Sequence, residues 1–332
     1  MISTNVCESR LITMPDSDLK VVNAARVSFA KEVHEMGLGD EGLIRFLATH
    51  KHWTPFSHCR ETIAIKVESN EQYLKLLSFF TLTLNQAEKT SMVIKMLSGV
   101  LYVRHSLYGW ANVVNKAMNI AYANVMSYTP IDRGVLVNIV NMLHDKYPVS
   151  ARYLLTETAS AIRDNDAEDV LAPNDPIDGD LEFLDITMYE SVPIAVARQR
   201  FKHVVGTTYN EVSRRYVDSE PVIFVPREWR GRHDNKKQGS RDDAANITPE
   251  FRAELEGAFE SDVELYTSAI ENDVCPEQAR LVLSQAMMTE YFVTANLAAW
   301  ERMLSQRLDG TAQLEIQEFA LKALKNLTAE AR

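Results

Sequence analysis

Two short stretches of apolar–polar alternation, CRETIAIKVE at 59–68 and LDITMYESV at 184–192, constrain this chain more than any other feature. A period of two marks half-buried strands. Between them lie about 110 residues whose apolar positions mostly follow helical spacing, clearest in EQYLKLLSFFTLTLNQAEKTSMVIKMLSGVLYV and RGVLVNIVNMLHDKY. Few strands, far apart in sequence and set among long helices, imply an α+β fold: a small central sheet with long helices and a mostly helical inserted subdomain. The boundaries read as 1–68 with 181–332 for the main domain and 69–180 for the insertion.

Punctuation residues fill in the rest. DEGLIRFLATHKH is helical with Asp40 as its N-cap, and Pro55 ends that run. Pro193 suits the first turn of a helix reaching His203. Gly206 with Thr207–Asn210 reads as a turn, EPVIFVP as a short strand, and REWRGRHDNKKQGSRDDAAN as a polar surface loop. Thr248 and Pro249 open a helix over 249–271, followed by helices over 276–307 and 312–329.

The 332 residues carry a net charge of −11, with 46% apolar and 24% charged positions. An acidic chain argues against a nucleic-acid surface. The six basic side chains packed into Arg198–Val217 therefore read as a local pocket for a small anion. Three cysteines without CxxC spacing fit a reducing compartment, not a disulfide framework. No signal-peptide pattern or membrane-length apolar run is present, so the expected location is the cytoplasm.

Within 198–217, Arg198 and Lys202 share one helix face, as do Gln199 and His203. That spacing alone also fits a solvated face with snorkelling stems. NEVSRRY adds the donors and acceptors that a phosphate and a flat heterocycle both need. His50, His52, His58 and Cys59 are metal-ligand types, but their spacing matches no standard site, and no metal is expected. Arg280, Asn296, Arg302 and Arg307 interrupt an apolar C-terminal pattern and need solvent, partners or a ligand. Cys275 reads as an ordinary helix-start cysteine.

Three segments, in this order, resemble the flavin-dependent thymidylate synthases. AARVS (24–28) with HKHWTPFSH (50–58) is similar to the family's N-terminal segment. ARQRFKHVVGTTYNEVSRRY is similar to its signature region. PEQARLVLS, TANLAAWERMLSQRLD and AQLEIQEFA are similar to its C-terminal helices. The resemblance implies methylation of dUMP to dTMP without a cysteine nucleophile. FAD is the implied cofactor, with NADPH and methylenetetrahydrofolate as co-substrates. It also implies a cytoplasmic homotetramer, bacterial or phage-encoded in a host cytoplasm, with sites at subunit junctions and neither nucleic acid nor membrane as partner.

Carried over position by position, the resemblance assigns dUMP to Gln199, Arg200, Lys202, Glu211, Val212, Ser213, Arg214, Arg215, Arg280 and Arg307. It assigns flavin to Ser28, Thr54, Lys202, His203, Val204, Glu211, Asn296 and Arg302. Catalytic roles fall to Arg307, at the uracil edge, to Ser213 as a positioning or polarising hydroxyl, and to His52 near the flavin. Departures concentrate on the flavin side. Lys202-His203-Val204 stands where the family has Arg-His-Arg, Ser57 where Glu is common, and Ala298 where Arg is usual. They leave open a hydroxymethylated pyrimidine product, or a non-catalytic homologue binding nucleotide or nucleic acid through the loop 227–241.

Overall fold

The computed structural model describes residues 1–84, 92–123, 131–164, 180–233 and 240–330. Strands β1 (Ile2–Ser3) and β2 (Glu8–Leu11) precede helices α1 (Asp18–Arg26) and α2 (Asp40–Thr49). Next come β3 (Arg60–Lys66), α3 (Asn70–Ser78), β4 (Val93–Leu97), β5 (Val100–Ser106), α4 (Leu107–Ala123), α5 (Arg133–Lys146), α6 (Pro148–Leu154) and α7 (Glu157–Ser160). The second half holds β6 (Asp185–Pro193), α8 (Ile194–Arg200), β7 (Thr207–Glu211), β8 (Ile223–Phe224), β9 (Arg230–Arg232) and β10 (Ser240–Ala244). It closes with α9 (Pro249–Glu271), α10 (Pro276–Ala279), β11 (Met288–Asn296), α11 (Leu297–Arg307) and α12 (Leu314–Glu330).

The architecture is α+β with small sheets. The sheet that carries the candidate site runs β2-β6-β11-β7 and is antiparallel throughout. A second sheet runs β3-β5-β4. Each sheet has its own core. Val21, Ile44, Phe56 and Ile63 pack with Phe80, Trp110, Leu136 and Leu143 in the first half. Met188, Val196, Val293, Trp300 and Phe319 pack the four-stranded sheet against α8, α11 and α12. Residues on both sides of position 69 share the first core. β3 also pairs with β5 across that position, from Arg60↔Ser106 to Lys66↔Val100.

Several sequence expectations change. The stretch 276–307 is not one helix: β11 occupies its middle and lies between β6 and β7. Residues 291–296 are all buried, so no alternation marks them, and a continuous apolar run does not separate strand from helix by period. The segment expected to be helical around 93–106 is a hairpin. Its two-residue loop, Ser98-Gly99, has positive φ at both positions (49° and 83°), the requirement of a tight primed turn. Thr207–Asn210 belong to β7, and only Gly206, at φ 74°, makes the turn. The loop 227–246 contains the β9–β10 ribbon, with 234–239 outside the described residues. Gly39, not Asp40, is the N-cap of α2; the buried Asp40 carboxylate accepts from the Gly37 N–H (2.7 Å) and pairs with Arg26. Pro193 ends β6 and caps α8, which stops at Arg200. Thr248 caps α9 as expected, accepting from the Phe251 N–H at 3.2 Å. Among the described residues, no helix is long and apolar enough to cross a membrane.

Candidate active site

The fold divides the 198–217 stretch into two ends. The last turn of α8 and the residues after it leave Gln199, Lys202 and His203 at the start of β7. The strand then delivers Glu211 at its far end, roughly 13 Å on at about 3.3 Å per residue.

At the Glu211 end lies a cleft of about 550 Å³, lined by Glu211, Val212, Ser213, Arg214 and Arg280, with Met288, Thr289 and Glu290 from β11. The edge is tied to the N-terminal half: the Ser28 hydroxyl donates to the Glu211 carbonyl (3.0 Å), and the Ser213 N–H donates to the Ser28 carbonyl (3.1 Å). The Thr289 hydroxyl donates to Glu211 Oε1 at 2.7 Å. Loss of hydration pushes the Glu211 pKa above the usual carboxylate value, with the Thr289 bond and the Arg280 charge opposing. Arg214 is held by the Ser219 carbonyl, its guanidinium 6.0 Å from the Tyr266 ring centre. Ser213 Oγ accepts from the Arg215 N–H at 3.3 Å. Arg215 itself turns outward and pairs with Glu277. The cleft thus offers two guanidinium groups and the hydroxyls of Ser213, Ser219 and Thr289 beside the carboxylates of Glu211, Glu220 and Glu290, a set of donors and acceptors suited to a phosphorylated polar ligand.

At the other end, Arg307 Nε donates to His203 Nε2 at 3.0 Å, and Arg307 Nη2 donates to the Gln199 carbonyl at 3.0 Å. A guanidinium only donates, so His203 is neutral and carries its proton on Nδ1. Burial and the charges of Arg307, Arg200 and Arg302 push its pKa down to about 4. Arg302 donates to the Val205 carbonyl at 3.2 Å, and Gln199 donates to Gln313 at 2.6 Å. Arg302 and Arg307 therefore spend these bonds on neutral acceptors. Lys202 is exposed, and Val204 leaves 64% of its surface open. Cationic side chains beside a neutral imidazole and an apolar side chain can receive an anionic group such as a phosphate.

Other candidate residues belong to neither set of contacts, although the Asn296 N–H donates to the Gly206 carbonyl (3.2 Å) beside the Arg307 end. Arg200 is buried in the sheet–helix core. It pairs with Glu190 (3.2 Å), donates to the Tyr209 hydroxyl (2.6 Å) and lies 4.7 Å from the Trp300 ring centre. Its i−4 and i−3 neighbours Val196 and Ala197 are buried too, and that helical phase was the available signal. Asn296 caps α11, accepting from the Ala299 N–H (2.9 Å) and donating to the Glu182 carbonyl (3.4 Å). His52 is exposed, edge-on to Phe46 at 5.7 Å, and Thr54 precedes the 3-10 turn Pro55–His58. Two residues are buried beside β7 that the sequence reading did not assign to the site: His58, weighed there only as a metal-ligand type, and Arg60. His58 contacts Thr294 Oγ1 (2.8 Å) and Asn210 Oδ1 (3.3 Å), and Arg60 donates to the Gly206 carbonyl (3.2 Å). Burial pushes Cys7 up to about 11 and Cys59 higher still; Cys275 is exposed at the N-cap of α10.

Residues 125–331 match the family model described as "Thymidylate synthase complementing protein". The flavin-dependent thymidylate synthase of Aquifex aeolicus (strain VF5) is 29% identical over 322 residues, 95% of each chain. That of Thermosipho africanus (strain TCF52B) is 30% identical over 141 residues, 42% of this chain and 61% of its own length. A UMP/dUMP methylase, PolB from Streptomyces cacaoi bound with 5-Br UMP, aligns with a TM-score of 0.42 at 16% identity, over 99% of this chain and 90% of its own.

Proposed function

The chain belongs to the thymidylate synthase complementing protein family, that of the flavin-dependent thymidylate synthases, and on that premise we propose that it methylates dUMP to dTMP with FAD as cofactor. Methylenetetrahydrofolate supplies the carbon and NADPH the reducing equivalents. The balance is dUMP, methylenetetrahydrofolate, NADPH and a proton giving dTMP, tetrahydrofolate and NADP⁺. The observation that carries this reading is the cleft of Glu211, Ser213, Arg214 and Arg280, which lies inside the matched stretch 125–331.

In this reading Arg214 and Arg280 hold the nucleotide phosphate and Ser213 orients the pyrimidine. Glu211, with its hydration reduced against Thr289, accepts from the sugar or base. Arg307 stabilises negative charge developing on the uracil ring. His203 and Arg302 hold the flavin, with the neutral imidazole offering its Nδ1–H as a donor. Bound flavin supplies hydride transfer. The raised pKa values of Cys7 and Cys59 agree with a reaction that uses no thiolate nucleophile.

Gln199, His203, Arg302 and Arg307 do not line the Glu211 cleft, and the reading takes the enzyme as a homotetramer whose sites join the cleft of one copy to the Arg307 end of another. The enzyme is read as cytoplasmic. Release of tritium from dUMP labelled at C5 tests the reaction. Release that requires FAD, NADPH and methylenetetrahydrofolate together is the expected result. Retention of the label in the complete mixture, with dUMP bound, would overturn the reading.

A further inference from the structure

Arg60 opens β3 with a side chain that is 2% exposed. A guanidinium has five N–H donors in a fixed plane, and here each has an acceptor. Nε reaches the Ser57 carbonyl (3.4 Å). Nη1 reaches Asp185 Oδ1 (2.9 Å) and the Gly206 carbonyl (3.2 Å). Nη2 reaches Thr208 Oγ1 (2.9 Å) and the Thr294 carbonyl (3.4 Å). The four neutral acceptors come from four different pieces of the site. Ser57 lies in the turn after Thr54, Gly206 follows Lys202–Val204, Thr208 leads to Glu211, and Thr294 precedes Asn296.

The remaining partner, Asp185, is shared. Its Oδ2 accepts from Arg104 Nε at 2.6 Å, and Arg104 Nη1 donates to Thr62 Oγ1 at 2.7 Å. Arg104 stands on β5, in the hairpin between 93 and 106. We propose that Arg60 is the positioning residue of the 203–207 turn and that Arg104 sets its geometry through Asp185, so that the 69–180 segment is wired to the flavin end of the site. The turn itself is independent of any cofactor; its role toward flavin rests on the function proposed above.

The weak link defines the direction of the effect. Arg60 Nη1 gives one N–H to Asp185 and the other to the Gly206 carbonyl, and the second contact is the longer. Gly206 O has one other donor, the Asn296 N–H at 3.2 Å. Without Arg104, Asp185 Oδ2 loses its partner inside a buried site and turns toward Arg60. Nη1 then leaves Gly206, whose carbonyl keeps the Asn296 N–H alone, while the rest of the turn retains the Thr207 N–H to Val204 carbonyl bond (3.3 Å), the Tyr209 hydroxyl on the His203 carbonyl (2.9 Å) and Arg302 on the Val205 carbonyl (3.2 Å). Glu211, fixed by Thr289 and Ser28, keeps its supports. Lysine cannot replace Arg60, because three donors on a flexible stem do not reproduce a planar fork.

Hydrogen–deuterium exchange on the full chain tests this, with Arg104→Gln and Arg104→Lys measured beside the wild type. In Arg104→Gln the peptide covering 203–207 exchanges about tenfold faster, the scale of one lost hydrogen bond, while helix α4 keeps its protection. Arg104→Lys, which leaves a charge against Asp185, falls between the two and carries the test on its own should the glutamine variant not fold. FAD affinity, read by titration, weakens by a similar factor, and dUMP affinity changes less. Wild-type protection of 203–207 in both variants, or equal loosening of the whole chain, would overturn the proposal. Faster exchange at 203–207 in a protein whose wild type binds no flavin would keep the wiring and discard the flavin reading.

Discussion

Arg200 and Arg307 lie in the same small region and do different physical work. Arg200 is 1% exposed and neutralises the fully buried Glu190. Arg200→Ala is expected to destabilise the fold by about 3–5 kcal/mol, the cost of leaving a buried partner unpaired; chemical denaturation measures it. Arg307 is only partly buried and meets neutral acceptors. Arg307→Ala is expected to change stability by about 1 kcal/mol while cutting turnover roughly 10²-fold or more, as for loss of a charge-stabilising donor. A normal turnover number in that variant would remove Arg307 from the chemistry. Removing Arg307 also lifts one cause of the low His203 pKa, so the imidazole should titrate higher by nitrogen-15 NMR, still below its ordinary value because burial remains. The sequence motif made Arg200 and Arg307 look alike; helix phase separates them, since Arg200 follows the buried Val196 and Ala197.

At the scale of elements, β11 shows what periodicity reveals and what it hides. β3 and β6 announced themselves by alternation. β11 lies between two strands with its last six residues buried on both faces, so its apolar run is as consistent with a helix. The β4–β5 hairpin was hidden differently, by apolar residues whose spacing also admits helical turns, although the Ser98-Gly99 pair marks its loop. Gly206 is the element-scale counterpart in the site. Its φ is 74°, and a Cβ there would lie 2.8 Å from Asn296 Oδ1, the atom that caps α11. Gly206→Ala therefore combines left-handed backbone strain with displacement of a cap. A loss of about 1–3 kcal/mol is expected, seen as a lowered thermal midpoint together with weaker FAD binding. Unchanged values for both would show that the turn tolerates a side chain. The Arg60–Asp185–Arg104 array was beyond reach from the sequence, because its members are 44 and 81 residues apart and meet only when the two sheets are placed.

Across the whole molecule, two cores meet along β3, β7 and β11, and buried histidine makes that junction sensitive to acid. His58 is fully enclosed, with its pKa pushed down to about 3 by burial and by the Lys20 and Arg60 charges. A histidine depressed in the folded state and ordinary, near 6.5, in the unfolded chain binds fewer protons when folded. Its contribution to stability is therefore present above about pH 6.5 and declines as the pH falls toward 3. His203, depressed to about 4, adds to the same slope between pH 6.5 and 4. His58→Gln should flatten the dependence of unfolding free energy on pH across that range, measured by denaturant titration at successive pH values; an unchanged slope would exclude His58 as its source.

The family assignment rests on the match over 125–331, and the reaction proposed from it makes a definite product. The measurement that tests it most directly is the mass of the nucleotide formed from dUMP with FAD, NADPH and methylenetetrahydrofolate present. A nucleotide heavier than dUMP by one methylene group, absent when any component is withheld, is the predicted result. A hydroxymethyl product, or unaltered dUMP from protein that binds both dUMP and FAD, would contradict it.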